Sequence, residues 1–117
     1  GEEIELPLEK LSTKKGTSAV YQLRFPKIGR YELVFRMSST LGELAQLPIS
    51  VFLNNTLQQT VTLNGTEGQT MERVVTLPIR QDGEKYMKLY FGESGIDMHR
   101  MFLRYVGKND IESIRNE

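Results

Sequence analysis

Apolar and polar residues alternate with a period of two along most of this chain, most sharply in residues 29–39. There Tyr31, Leu33, Phe35 and Met37 fall on one face, and Glu32, Val34, Arg36 and Ser38 on the other. Such a period, in a stretch rich in aromatic and β-branched types, predicts a half-buried β-strand. The turn Pro26-Lys27-Ile28-Gly29 delivers the chain into it. It reads as the central strand of a β-sandwich.

The same alternation recurs on both sides. Ile4, Leu6 and Leu8 predict a short first strand over residues 3–8, placed at a sheet edge because Pro7 lacks an N–H. Residues 12–18 form a polar loop. Ala19, Tyr21, Leu23 and Phe25 alternate in a second strand that Pro26 ends. Residues 38–48 fit either one helical turn, through Leu41 to Leu47, or a packed loop. From Pro48, Ile49, Val51 and Leu53 resume the alternation, and Asn54-Asn55 is a hairpin signal because Asn tolerates positive φ. Residues 56–63 return, residues 64–68 turn again, and residues 71–79 make the next strand. Asp82-Gly83 marks a further turn. In residues 85–91, Met87, Leu89 and Phe91 share one face, with Tyr86 and Tyr90 on the other. Residues 92–97 are a loop and residues 98–106 a last strand. About eight strands punctuated by turn signals, with no long helix, argue for an antiparallel sandwich or barrel. Residues 1–107 make one domain. Residues 108–117, with Ile111 and Ile114 one helical turn apart, read as a linker or frayed tail.

Composition narrows the function classes. At 117 residues the chain can bury one core without staples. Fifteen Lys+Arg balance fifteen Asp+Glu with no long run of one sign, so no broad basic face exists to hold nucleic acid. There is no cysteine, which excludes disulfides, thiol nucleophiles and zinc sites built on Cys. Apolar runs fall far short of the ~18 residues of a membrane-spanning helix, so no membrane partner is expected. Gly1, with no Met before Glu2-Glu3, reads as a remnant of tag cleavage. The chain is accordingly expected to be a domain excised from a longer protein, or a mature protein stripped of its leader.

The order of the pieces resembles that of carbohydrate-binding modules of the family 6 and family 35 type, which are galactose-binding-like jelly rolls. Residues 25–39 are similar to the family strand Pro-x-x-Gly-x-Tyr-x-Leu-x-x-Arg-x-x-Ser, matched here by Pro26, Gly29, Tyr31, Leu33, Arg36 and Ser39. Residues 49–55 resemble its hydrophobic strand ending in a turn. Residues 72–79 take the place of a further strand, residues 81–91 resemble x-x-Gly-x-x-x-Leu-x-Leu-x-Phe, and residues 98–106 fill the place of the last strand. The resemblance implies an all-β, antiparallel jelly-roll β-sandwich of about eight strands. It also implies a non-catalytic accessory domain of a larger extracellular or periplasmic bacterial protein, such as a glycoside hydrolase, with a glycan or polysaccharide and a neighbouring domain of the parent as partners. Two departures stand out. Those modules stack sugars on exposed Trp or Tyr, and this chain has no Trp; their Glu-Ala-Glu opening, which helps hold a structural calcium, is echoed only by Glu3-Ile4-Glu5.

The residues expected to touch a glycan are Tyr90, Glu93, Asp97, His99 and Arg100. His99 is the only histidine and sits at a loop-to-strand border, where the related modules place ligand contacts. Tyr86 and Tyr90 could form a stacking or protein-contact platform. Arg36, Arg100 and Arg104 could line a polar sheet. No cofactor is called for; a structural calcium would draw on Glu5, Glu93 and Asp97. The alternatives are a protein-interaction sandwich with no glycan ligand, and a small hydrolase, which would need His99 bonded to a carboxylate in a pocket. Asn54-Asn55-Thr56 and Asn64-Gly65-Thr66 match the glycosylation sequon, but both sit in turns that favour Asn on backbone grounds.

Overall fold

Eight strands run through the computed structural model, which describes residues 3–108. They are β1 Glu3–Leu6, β2 Ser18–Phe25, β3 Gly29–Ser38, β4 Gln46–Leu53, β5 Thr56–Asn64, β6 Met71–Ile79, β7 Gly83–Phe91 and β8 Asp97–Gly107. They form two four-stranded antiparallel sheets, ordered β1-β8-β3-β6 and β2-β7-β4-β5. The antiparallel sandwich expected from the alternation, with the jelly roll that the resemblance implied, is the fold observed. The expectations for residues 109–117 lie outside the described residues.

β3 lies inside its sheet, paired with β6 on one side and β8 on the other. Its Tyr31, Leu33, Phe35 and Met37 are all buried. Opposite them the second sheet contributes Phe25, Ile49, Val51, Met87, Leu89 and Phe91, likewise buried. Full burial of such a side chain is worth about 1.5–3 kcal/mol, so this layer is the main source of stability. At one end Tyr31 packs edge-on against both Phe25 and Tyr105, with ring centroids 5.1 Å apart in each pair. Gly29 makes this possible: its φ is +146°, and a Cβ there would lie 2.6 Å from the Tyr105 ring.

The sequence reading and the structure differ by one or two residues at several strand ends, of which two involve proline. β1 stops at Leu6, before Pro7, and is an edge strand as expected. β4 begins at Gln46, so Pro48 lies inside it. A proline there costs little because Ile49 already pairs with Phe91, the last residue of β7. Pro48 stands at the end of that ladder, where its carbonyl still accepts Gly92 N–H at 2.9 Å and only the reciprocal bond is missing. Residues 39–45 are the packed loop, tightened by a single turn in which Ala45 N–H donates to Gly42 O at 3.0 Å. Asn54 and Asn55 both have positive φ, 48° and 67°, the geometry of a type I′ hairpin.

Truncating Phe35 to Ala should lower unfolding stability by about 3–5 kcal/mol in chemical denaturation. A loss below about 1 kcal/mol would show that the layer facing β3 does not carry the fold.

Candidate functional site

Every strand of a sandwich gives alternate residues to the core, and what is left faces outward. On the sheet β2-β7-β4-β5 the outward residues form rows across the strands. Ser18, Tyr90, Ser50 and Thr60 are aligned in one row. Val20, Lys88, Phe52 and Leu57 make the next, and Gln22 and Tyr86 the third. Tyr86 is 57% exposed and Tyr90 40%. Among the described residues nothing covers these rings fully. Lys88 Nζ lies 4.4 Å above the Phe52 ring, a cation–π contact. Ser50 and Thr60 share a hydroxyl hydrogen bond of 2.9 Å. Toward the far end Gln22 donates to Glu84 at 3.0 Å. The face therefore offers ring surface flanked by hydroxyls and amides.

The face ends at a cluster of loops, where Gly92 N–H donates to Pro48 O at 2.9 Å and Gly16 N–H to Phe91 O at 2.8 Å. A cleft of about 410 Å³ opens here, lined by Leu41, Gln46, Pro48, Thr62, Glu93 and Ser94 among others. Glu93 stands at its rim, ion-paired with Lys15 at 3.5 Å. The loops behind it are fixed. Gly68 and Glu67 N–H donate to Ser39 O and Leu41 O at 2.7 and 2.9 Å. A Cβ on Gly65 would stand 2.1 Å from Gly42 O, so only glycine permits that approach.

Tyr90 and Glu93 thus border one surface. Asp97, His99 and Arg100 do not join them: they lie on β8, in the other sheet. His99 is the extra residue of a bulge, since Arg36 faces Arg100 while Met37 faces Met98. The bulge turns its ring outward, where Nε2 lies 2.8 Å from Ser38 Oγ. Arg100 lies over the Phe102 ring, 4.0 Å from its centroid. It donates to Glu5 at 2.9 Å through Nε and to Glu3 at 3.1 Å. The Glu5 bond, foremost, raises its pKa further; desolvation opposes it, and the Glu3 bond adds to the rise. Arg104 donates to Glu32 at 2.8 Å and Arg36 to Glu72 at 3.1 Å. The three arginines are tied to carboxylates of their own face rather than aimed at a ligand.

The carboxylates considered for calcium do not converge. Glu5 is held by Arg100 and Glu93 by Lys15. Among the described residues no three His, Asp or Glu side chains are grouped closely enough to share an ion. The residues do not fit a calcium site. Nor does the Ser38–His99 pair have a third member: no carboxylate bonds the ring among the described residues, so the base lacks the group that would orient it. The sequon asparagines are both employed in the fold. Asn54 Oδ1 accepts Tyr86 N–H at 2.9 Å, and Asn64 Nδ2 donates to Ala45 O at 3.2 Å.

No family model matches the chain. It is 26% identical over 104 residues to a β-glucosidase of Ruminococcus albus, covering 89% of this chain and 11% of that enzyme. Among solved structures it resembles a family 35 carbohydrate-binding module from Clostridium thermocellum with a TM-score of 0.67. That match has 14% identity and covers 89% of this chain and 88% of the module. It resembles equally a family 6 module of a Cellvibrio mixtus lichenase, solved with cellotriose. There the TM-score is 0.67 at 11% identity, over 91% of this chain and 87% of that one. The fold is the one these modules share. The strand motifs of residues 25–39 and 81–91 therefore pointed to the right architecture. The sequence reading did not single out Phe52, Ser50 or Thr60; the alternation of β4 and β5 put them on a face, but only the strand order sets them beside Tyr90.

At the free edge of β2, Tyr21 closes a second cleft of about 360 Å³ with Pro7, Lys10 and Val20. Its hydroxyl donates to Pro7 O at 2.8 Å, and burial raises its pKa. The folded state therefore keeps the phenolic proton at a pH where the unfolded chain, with a tyrosine pKa near 10, has lost it. This contribution is intact below about pH 10 and is lost as pH rises through the folded pKa. Between pH 9 and 11 the unfolding free energy of the wild type should fall more steeply than that of Tyr21→Phe; equal slopes would contradict the assignment.

Proposed function

We propose that this chain is a non-catalytic carbohydrate-binding accessory domain of a larger extracellular or periplasmic protein, and that it holds a glycan on the outer face of β2-β7-β4-β5. The observation that carries the reading is the exposed pair Tyr86 and Tyr90 on a face that also presents the hydroxyls of Ser18, Ser50 and Thr60 and the amide of Gln22. At about 3.4 Å per residue the two rings stand about 14 Å apart along β7, room for a short oligosaccharide. Pyranose faces stack on the rings, and sugar hydroxyls exchange hydrogen bonds with Ser18, Ser50 and Thr60. Glu93 accepts further ones at the loop end. Similarity to one short part of a β-glucosidase fits a domain that accompanies a glycoside hydrolase and leaves the chemistry to its parent.

One observation favours a second reading. Val20, 59% exposed, and Leu57, 54% exposed, flank the rings on the same face, as suits docking against a neighbouring domain with no glycan bound.

Affinity gel electrophoresis against neutral and acidic polysaccharides, with and without calcium, separates the two. The glycan reading predicts retardation on at least one neutral polysaccharide, independent of calcium. Affinity should drop at least about tenfold, about 1.4 kcal/mol, in Tyr90→Ala and in Tyr86→Ala. Asp97→Ala and His99→Ala should bind as the wild type does. Retardation lost in those two variants instead would move the site to β8, and no retardation on any polysaccharide would leave the docking surface as the reading.

A further inference from the structure

β5 is the last strand of its sheet, and among the described residues nothing pairs with its other side. All nine of its residues are exposed except Val61 and Leu63. It also lies within the longest uncharged stretch of the chain: residues 44–66 contain no Asp, Glu, Lys or Arg, although 26% of the protein is charged. Free edges of this kind pair with other strands unless charge, proline or a cover blunts them. The other three edges carry such devices. β1 has only four residues, with Glu3 and Glu5 among them. β6 carries Glu72, Arg73 and Pro78. β2 carries Arg24 and is bridged by the Tyr21 hydroxyl to Pro7. β5 has one bulge near its start, at Gln58, and then an unbroken register from Gln59 to Asn64.

The backbone direction follows from one hydrogen bond. Gly92 donates to Pro48 O, so the carbonyl of Pro48 points toward β7. In an antiparallel ladder the N–H and C=O of a residue point the same way, and successive residues alternate. Thr62, opposite Pro48, therefore turns its own N–H and C=O away from β4. Thr60, two residues earlier, does the same. These groups face out along the open edge.

We propose that β5 is a self-association edge, through which two copies of the chain pair antiparallel about a two-fold axis near Thr62. A second copy is the occupant because the strand is uncharged: laid against its own image it brings no like charges together, which a charged edge would do. Such pairing uses both open edges and closes, whereas β5 on the β2 edge of another copy would extend without end. The two sheets fuse into one, and the faces bearing Tyr90 and Phe52 become neighbours. If those faces bind glycan, as proposed above, the dimer grips a polymer at two points and gains avidity without new contacts.

The test is sedimentation equilibrium of the intact chain over a concentration series reaching the millimolar range. The apparent mass should rise from 13.4 kDa toward twice that value. Thr62→Lys and Thr62→Pro should stay monomeric at wild-type melting temperature, the proline because its lost N–H served no bond to β4. As the chain has no cysteine, oxidised Thr62→Cys should give a covalent dimer, and Ser18→Cys on β2 should not. A monomer at every concentration with no Thr62→Cys cross-link overturns the proposal, as does a dimer that survives both Thr62 variants. Because the readout is mass, failure to bind polysaccharide leaves this result intact, and a monomer that binds polysaccharide removes only the pairing.

Discussion

Burial of the inward face of β3 against the second sheet constrains everything else in this domain. Tyr31, Leu33, Phe35 and Met37 take one side of a strand flanked by two others, and the facing sheet must present its own apolar residues to meet them. Once that layer is set, the period of two decides which residues are left outside. The outer faces are remainders of the core, and the two remainders differ in kind.

One remainder is saturated. Around Phe102 and Val34, both buried although they point away from the core layer, Glu3, Glu5, Glu32 and Glu72 meet Arg100, Arg104 and Arg36. Exposed pairs of this kind add little stability, but they tie the three arginines of this face to carboxylates, with Arg100 laid over the Phe102 ring. The other remainder is open: its rings are exposed, its polar groups are mostly neutral, and Lys88 is turned onto Phe52. A neutral ligand rich in hydroxyls meets fewer desolvated charges there than on any other broad face of the sandwich.

The strands and turns were legible because alternation and turn residues are local. Asn54-Asn55 and Asp82-Gly83 turn where their backbone tolerance suggests, and Met87, Leu89 and Phe91 enter the core together. Pro48 misled the start of β4, since sequence alone does not show that β7 has already ended beside it. The site was less legible for a related reason. Tyr90, Glu93, Asp97, His99 and Arg100 are close in sequence, but the chain crosses from one sheet to the other between Phe91 and Asp97. Which strand lies beside which is a long-range choice, made by packing rather than by spacing. The uncharged stretch of residues 44–66 was likewise visible, yet it acquires meaning only when β5 is found at an edge.

The central claim is that the open face of β2-β7-β4-β5 is the glycan-binding surface. Backbone amide shifts followed by NMR during titration with cellotriose and other soluble neutral oligosaccharides test it most directly. The account predicts perturbations centred on Ser50, Tyr86 and Tyr90 and fading toward β8. Perturbations clustered at Ser38, Asp97 and His99, or none with any neutral oligosaccharide, would contradict it.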